Sequence, residues 1–131
     1  MTQLTYSDAF ARYGVKLRNV QSAVSAIADD ALIVSCWQQY FGSAKGGVLP
    51  YRDRLSRWSG TGNNLLRKHL EQAVREELPV RLVIAKADDP DAIDQGVEGG
   101  SVKKTFAVRK DLIGQVAEFD GDNFRIEFRQ A

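Results

Sequence analysis

Cysteine occurs once in this 131-residue chain, at Cys36, and histidine once, at His69. A lone cysteine excludes an internal disulfide framework and any cysteine-based metal site. Cys36 sits in the apolar run LIVSCW, so a buried, inert thiol is expected there instead of a nucleophile. Long hydrophobic runs are missing as well. No stretch approaches the ~20 apolar residues that span a bilayer, and MTQLTYSDAF lacks the basic-then-apolar order of an export signal. The expectation is a cytoplasmic protein with no membrane role. Net charge is nearly absent, at +1, which excludes a globally basic chain.

What is present is an ordinary globular composition, 44% hydrophobic and 27% charged, in a length that fits one domain spanning residues 1–131. The charge is segregated along the chain. Between Ser43 and Leu70 there are six cations (Lys45, Arg52, Arg54, Arg57, Arg67, Lys68) against Asp53, a balance of +5. Between Ala87 and Glu98 there are five acids (Asp88, Asp89, Asp91, Asp94, Glu98) and no base, a balance of −5. Each block suits a partner of opposite charge.

The periodicities predict an α+β domain. A short helix is expected over about Asp8–Tyr13, capped by Ser7 and stopped by Gly14 in the left-handed region. Val20–Ile27 fits a helix by its spacing of three and four. It also fits a strand that turns at Ala28-Asp29-Asp30 and pairs with Leu32–Trp37, and the alternating valines favour the hairpin. Gln38–Pro50 reads as a loop by composition. Thr61–Leu78 is the clearest helix, with Leu66, Leu70 and Val74 on one stripe, Leu65, His69 and Ala73 beside it, and Arg67–Glu71–Arg75 spaced for ion pairs. Pro79 ends it. Val80–Lys86 reads as an interior strand, and the acidic Ala87–Gly100 as an exposed loop. Val102–Arg109 and Ile113–Asp120 are strands joined at Lys110-Asp111. A turn at Asp120–Asn123 leads to Asn123–Arg129, with Phe124, Ile126 and Phe128 inward and Arg125, Glu127 and Arg129 outward. Five to six strands and one main helix predict a strongly curved mixed sheet that approaches a small barrel.

The stretch YRDRLSRWSGTGNNLLRK, Tyr51–Lys68, carries the densest chemistry. Arg52, Arg54, Arg57, Arg67 and Lys68 surround Trp58 and the turn Gly60-Thr61-Gly62-Asn63-Asn64, which opens a helix. Unpaired N–H groups at a helix start, glycines that allow close approach and neighbouring guanidiniums suit a phosphate. The bland alternative is a glycine loop with an Asn or Thr cap. It is no dinucleotide fingerprint, because Leu65 stands where the last glycine is needed, and no Walker lysine follows. Trp58 among arginines, with Trp37, could form an aromatic pocket for a base, although Trp37 at the end of a strand reads as core. His69 on the helix flank reads as a packing residue before a catalyst. The sequence has no G-x-S-x-G elbow, and the acidic loop lacks the register of a divalent-cation loop. No cofactor is expected.

The order Tyr13-Gly14, Asn19, Ser22, Ser25, Asp29-Asp30 and Leu32-Ile33-Val34 into Trp37, continued by Arg57-Trp58, Gly62-Asn63, Arg67 and Val83–Ala87, resembles a set of small uncharacterised bacterial and phage proteins. More loosely, it resembles PUA/SRA-like reader domains associated with restriction systems. The likeness covers the first two thirds. It implies a compact β-barrel that binds nucleic acid, in some members holding a modified base in an aromatic pocket.

Three functions follow as expectations. The first is nucleic-acid binding, to DNA or RNA phosphates, through residues 51–68. The second is a protein-interaction or inhibitor module of phage or mobile-element origin that offers the acidic loop 87–98 to a basic partner. That loop would also screen the basic patch in the free protein. The third is a small-molecule enzyme with a pocket near Trp37 and His69. The first leads, and the balance leans away from an enzyme.

Overall fold

The computed structural model describes residues 6–14, 24–28, 30–57, 61–95 and 104–130. An N-terminal helix, Tyr6–Ala11 (α1), ends earlier than the expected Tyr13 and passes through a turn to Gly14, whose φ of 80° is left-handed as expected. The helix starts earlier than expected, so Ser7 lies inside it and is not its cap. Ser25–Ala28 (β1) and Ala31–Trp37 (β2) pair antiparallel, Ser25 opposite Val34 and Ala28 opposite Ala31, which decides the strand-or-helix ambiguity for the hairpin. Residues 20–23 lie outside the described part.

Beyond β2 the chain makes a 3-10 turn, Gln38–Tyr40, and enters Leu49–Arg54 (β3). A second 3-10 turn, Leu55–Arg57, precedes the main helix, Thr61–Glu76 (α2). Val80–Ala87 (β4) follows, then the short helix Pro90–Asp94 (α3) and the strands Lys104–Val108 (β5), Leu112–Phe119 (β6) and Asn123–Gln130 (β7). The seven strands form one mixed sheet in the order β1-β2-β4-β6-β7-β3, with β5 also on β4. Only β2 and β4 are parallel, and α2 lies in the connection between them.

The α+β class and the main helix match the sequence. The barrel does not form, because the sheet stays open between its edge strands β1 and β3. Part of the free side of β3 is met instead by the segment after β2. Phe41 bridges Tyr51, and the Gly42 N–H donates to the Pro50 carbonyl at 2.8 Å. A barrel needs a full ladder at that seam.

Two clusters sandwich the middle of the sheet. On one face α2 packs Leu66, Leu70 and Ala73 against Leu32, Val34, Tyr51, Leu82, Ile126 and Phe128. On the other, Phe10 of α1 meets Ile33 and Val83. The centre of β4 is therefore buried on both sides, which is why Leu82–Ala85 reads as a continuous apolar run. Phe124, Ile126 and Phe128 point inward as expected. Val74 does not, being 49% exposed, because the buried stripe of α2 runs through Asn63, Leu66, Leu70 and Ala73. The expected Arg67–Glu71 and Glu71–Arg75 pairs are absent among the described residues, and Arg75 approaches Glu76 at 3.5 Å instead. α2 ends at Glu76 in a left-handed turn: Glu77 has a φ of 52°, and the Leu78 N–H donates to the Ala73 carbonyl at 3.0 Å.

The C-terminal strands hold one surprise. Val83 pairs with Val108 and Val80 with Gly114, so three steps along β4 match six along its neighbour. β5 and β6 are thus one antiparallel strand interrupted at Arg109–Asp111. The acidic segment is also not wholly a loop. It contains α3, whose Ile93 is fully buried. No helix among the described residues is long and apolar enough to cross a membrane.

Candidate functional site

Asp53, near the end of β3, points to the α2 side of the sheet, and Arg57 follows one turn later. The guanidinium grips the carboxylate with two prongs, Nε to Oδ1 at 2.8 Å and Nη2 to Oδ2 at 2.7 Å. The two side chains are only 8% and 4% exposed. Nη1 of Arg57 donates to the Ile93 carbonyl of α3 at 3.1 Å, and the guanidinium lies 5.0 Å from the centre of the Tyr40 ring. The Tyr40 hydroxyl donates to Asp94 at 2.6 Å, and the Gln39 side-chain amide donates a hydrogen bond to the same oxygen at 2.8 Å. Burial alone would lower the Arg57 pKa, but the Asp53 contacts outweigh it and hold the group above its ordinary value. Tyr40 is pushed up by burial and by its bond to Asp94, whose own pKa is lowered by Tyr40 and Gln39. This knot ties the exit of β2, the end of β3 and the acidic helix together.

Arg57 is therefore committed to an internal carboxylate. The other four cations of the segment differ from it: Arg52, Arg54, Arg67 and Lys68 are exposed. Their side chains have no hydrogen-bond or ion-pair partner among the described residues. They do not share one face. Tyr51 points into the core under α2, so by strand alternation Arg52 and Arg54 project from the opposite side of the sheet. Arg67 and Lys68 stand on the outer side of α2. The cations form two pairs on opposite sides of the sheet, one before and one after, along the chain, the corner between β3 and α2.

That corner is fixed by Asn63, a buried residue whose amide donates to the Leu55 carbonyl at 2.6 Å. Asn63 thus braces the helix start from inside. Thr61 and Gly62 lie in the first turn of α2. Trp58 and Gly60 lie outside the described residues, and so does the expected Trp37–Trp58 pocket.

Trp37, read as core, is only partly buried at the end of β2. His69 meets Ser25, Nδ1 to Oγ at 2.8 Å, and burial lowers its pKa. Ser25 is 1% exposed, so its hydroxyl meets His69 inside the fold. Cys36 is fully buried with its pKa raised, first by burial, as an inert thiol requires. Among the described residues, no three His, Cys, Asp or Glu side chains gather to hold a metal. Of the acidic segment, Asp94 is engaged at the knot while Asp88, Asp89 and Asp91 remain exposed. The segment thus contacts the basic one through Ile93 and Tyr40.

A groove of about 380 Å³ opens elsewhere, lined by Arg52, Asp53, Glu118, Phe119, Asp120, Asn123, Phe124 and Arg125. Sequence reasoning had Arg125 pointing outward but not its neighbour. Register places Arg125 directly opposite Arg52 on β3, and no local pattern announces that pairing. Comparison with protein-family models, curated proteins and solved structures found no match to this chain.

Proposed function

We propose that this protein binds nucleic acid through phosphate contacts made by Arg52, Arg54, Arg67 and Lys68. The observation that carries this reading is their shared state: four exposed cations without an anionic partner among the described residues, while the one local acid is neutralised by Arg57. A fold that left these charges to water gains nothing from them internally, and exposed cations release counterions when they meet a phosphate backbone. The two pairs stand on opposite sides of the sheet instead of covering one plane. A flexible single strand can wrap from one pair to the other, whereas a straight duplex meets one side at a time. Single-stranded DNA or RNA is the favoured ligand.

A mobility-shift panel over single- and double-stranded DNA and RNA tests the reading. The parent should shift single strands. R52E/R54E and R67E/K68E should each weaken the shift at least tenfold. Equal binding by parent and both variants, or no shift by the parent at low salt, rejects it.

A further inference from the structure

We infer that the groove between β3, β6 and β7 is a seat for one phosphate group of a nucleotide, held between Arg52 and Arg125. The inference rests on the nucleic-acid reading for the nature of its ligand. Arg52 and Arg125 are direct cross-strand partners in the β3–β7 ladder. Like charges placed opposite each other repel, and the sheet supplies only partial relief. Glu118 reaches Arg125 at 2.9 Å, but it is 68% exposed and makes no ion pair with Arg52. Glu127 lies 3.7 Å from the Arg125 Nε, which is buried and has no hydrogen-bond partner among the described residues.

The other acids of the groove are already engaged. Asp53 is taken by Arg57, and Asp120 accepts the backbone N–H groups of Asp122 and Asn123 at 2.9 and 2.8 Å. Arg52 without a carboxylate and Arg125 with the exposed Glu118 and the more distant Glu127 leave room for a dianion that displaces Glu118 and bridges both arginines. The groove's volume of about 380 Å³ falls within the ~300–1,000 Å³ usual for small-ligand pockets.

An NMR amide titration of the whole protein with inorganic phosphate, then with a 5′-mononucleotide, tests the seat. Saturable shifts are expected at residues 52–53, 118–120 and 123–125. R52A should weaken binding about tenfold, the loss expected for a charged hydrogen-bond partner. E118Q should strengthen it several-fold, because the competing carboxylate loses its charge. R125K, which keeps the charge but loses the planar two-pronged donor, should also weaken binding.

No saturable shift, or affinity unmoved by both R52A and E118Q, overturns the seat. A single-stranded oligonucleotide arm separates the two readings. An oligonucleotide that binds while phosphate leaves the groove silent rejects the seat but keeps nucleic-acid binding. Phosphate seated in the groove with no oligonucleotide bound keeps the seat and rejects nucleic-acid binding.

Discussion

Arg57 and Asp53, four residues apart, form a two-pronged ion pair at 2.7 and 2.8 Å with both side chains almost wholly buried. Breaking such a pair strands a charge. Arg57→Ala should therefore lower stability by about 3–5 kcal/mol, a large share of a typical domain's margin. A urea midpoint unchanged by this substitution would mean that the knot with Tyr40, Ile93 and Asp94 does not hold the corner. The same geometry predicts that Arg57 contributes little to phosphate binding beyond its effect on folding.

Glu77 occupies the left-handed position that closes α2, at a φ of 52°. A side chain there costs roughly 1–2 kcal/mol relative to glycine, offset in part by the extra unfolded-state freedom of glycine. Glu77→Gly should raise stability by about 0.5–1 kcal/mol, seen as a higher urea midpoint at an unchanged slope. A destabilised variant would contradict the left-handed cap.

Gly114 shows the opposite constraint. A Cβ built there would lie 2.5 Å from Cδ1 of Phe128, which is fully buried. Gly114→Ala should cost about 1–3 kcal/mol by overpacking. Pairing it with Phe128→Leu should recover part of the loss if the clash is the cause. An additive double variant would point elsewhere.

Protonation separates two further contributions. The His69 pKa is lowered in the fold, so below the ordinary histidine value of about 6.5 the unfolded chain takes up the proton first and stability falls with pH. Asp94, Asp111 and Asp120 are also lowered: Asp94 by Tyr40 and Gln39, Asp111 by Arg109, and Asp120 by turn N–H groups. Their stabilisation is lost only as pH drops below about 4. Thermal midpoints followed downward from about pH 8 should show two declines, the second starting near pH ~4, and His69→Gln should remove the upper one alone.

How far these features were legible in the sequence depends on their range. The α2 helix, the Gly14 stop, the inward Phe124–Ile126–Phe128 triplet and the inert Cys36 all follow from period or from neighbours within a few residues. Val74 was misplaced because a stripe three or four residues wide does not say which flank turns to water. β3 was missed because Leu49 and Pro50 fell in the stretch read as a loop, and Arg52 and Arg54 were read for their charge alone. Asp53, counted as the lone acid among cations, proved to be the residue that withdraws Arg57 from the surface. The Arg52–Arg125 pairing depends on register between strands separated by more than half the chain, and no local signal encodes it. The open sheet is likewise decided by which segment lies beside β3.

The salt dependence of single-stranded oligonucleotide binding tests the central claim most directly. For the parent, log affinity should fall linearly with log salt, by about 0.7 per phosphate contacted. Replacing Arg52, Arg54, Arg67 and Lys68 by alanine should flatten that slope by roughly one unit or less per residue removed. A parent that binds no strand at low salt, or a four-site variant with the parent's slope, would contradict the account.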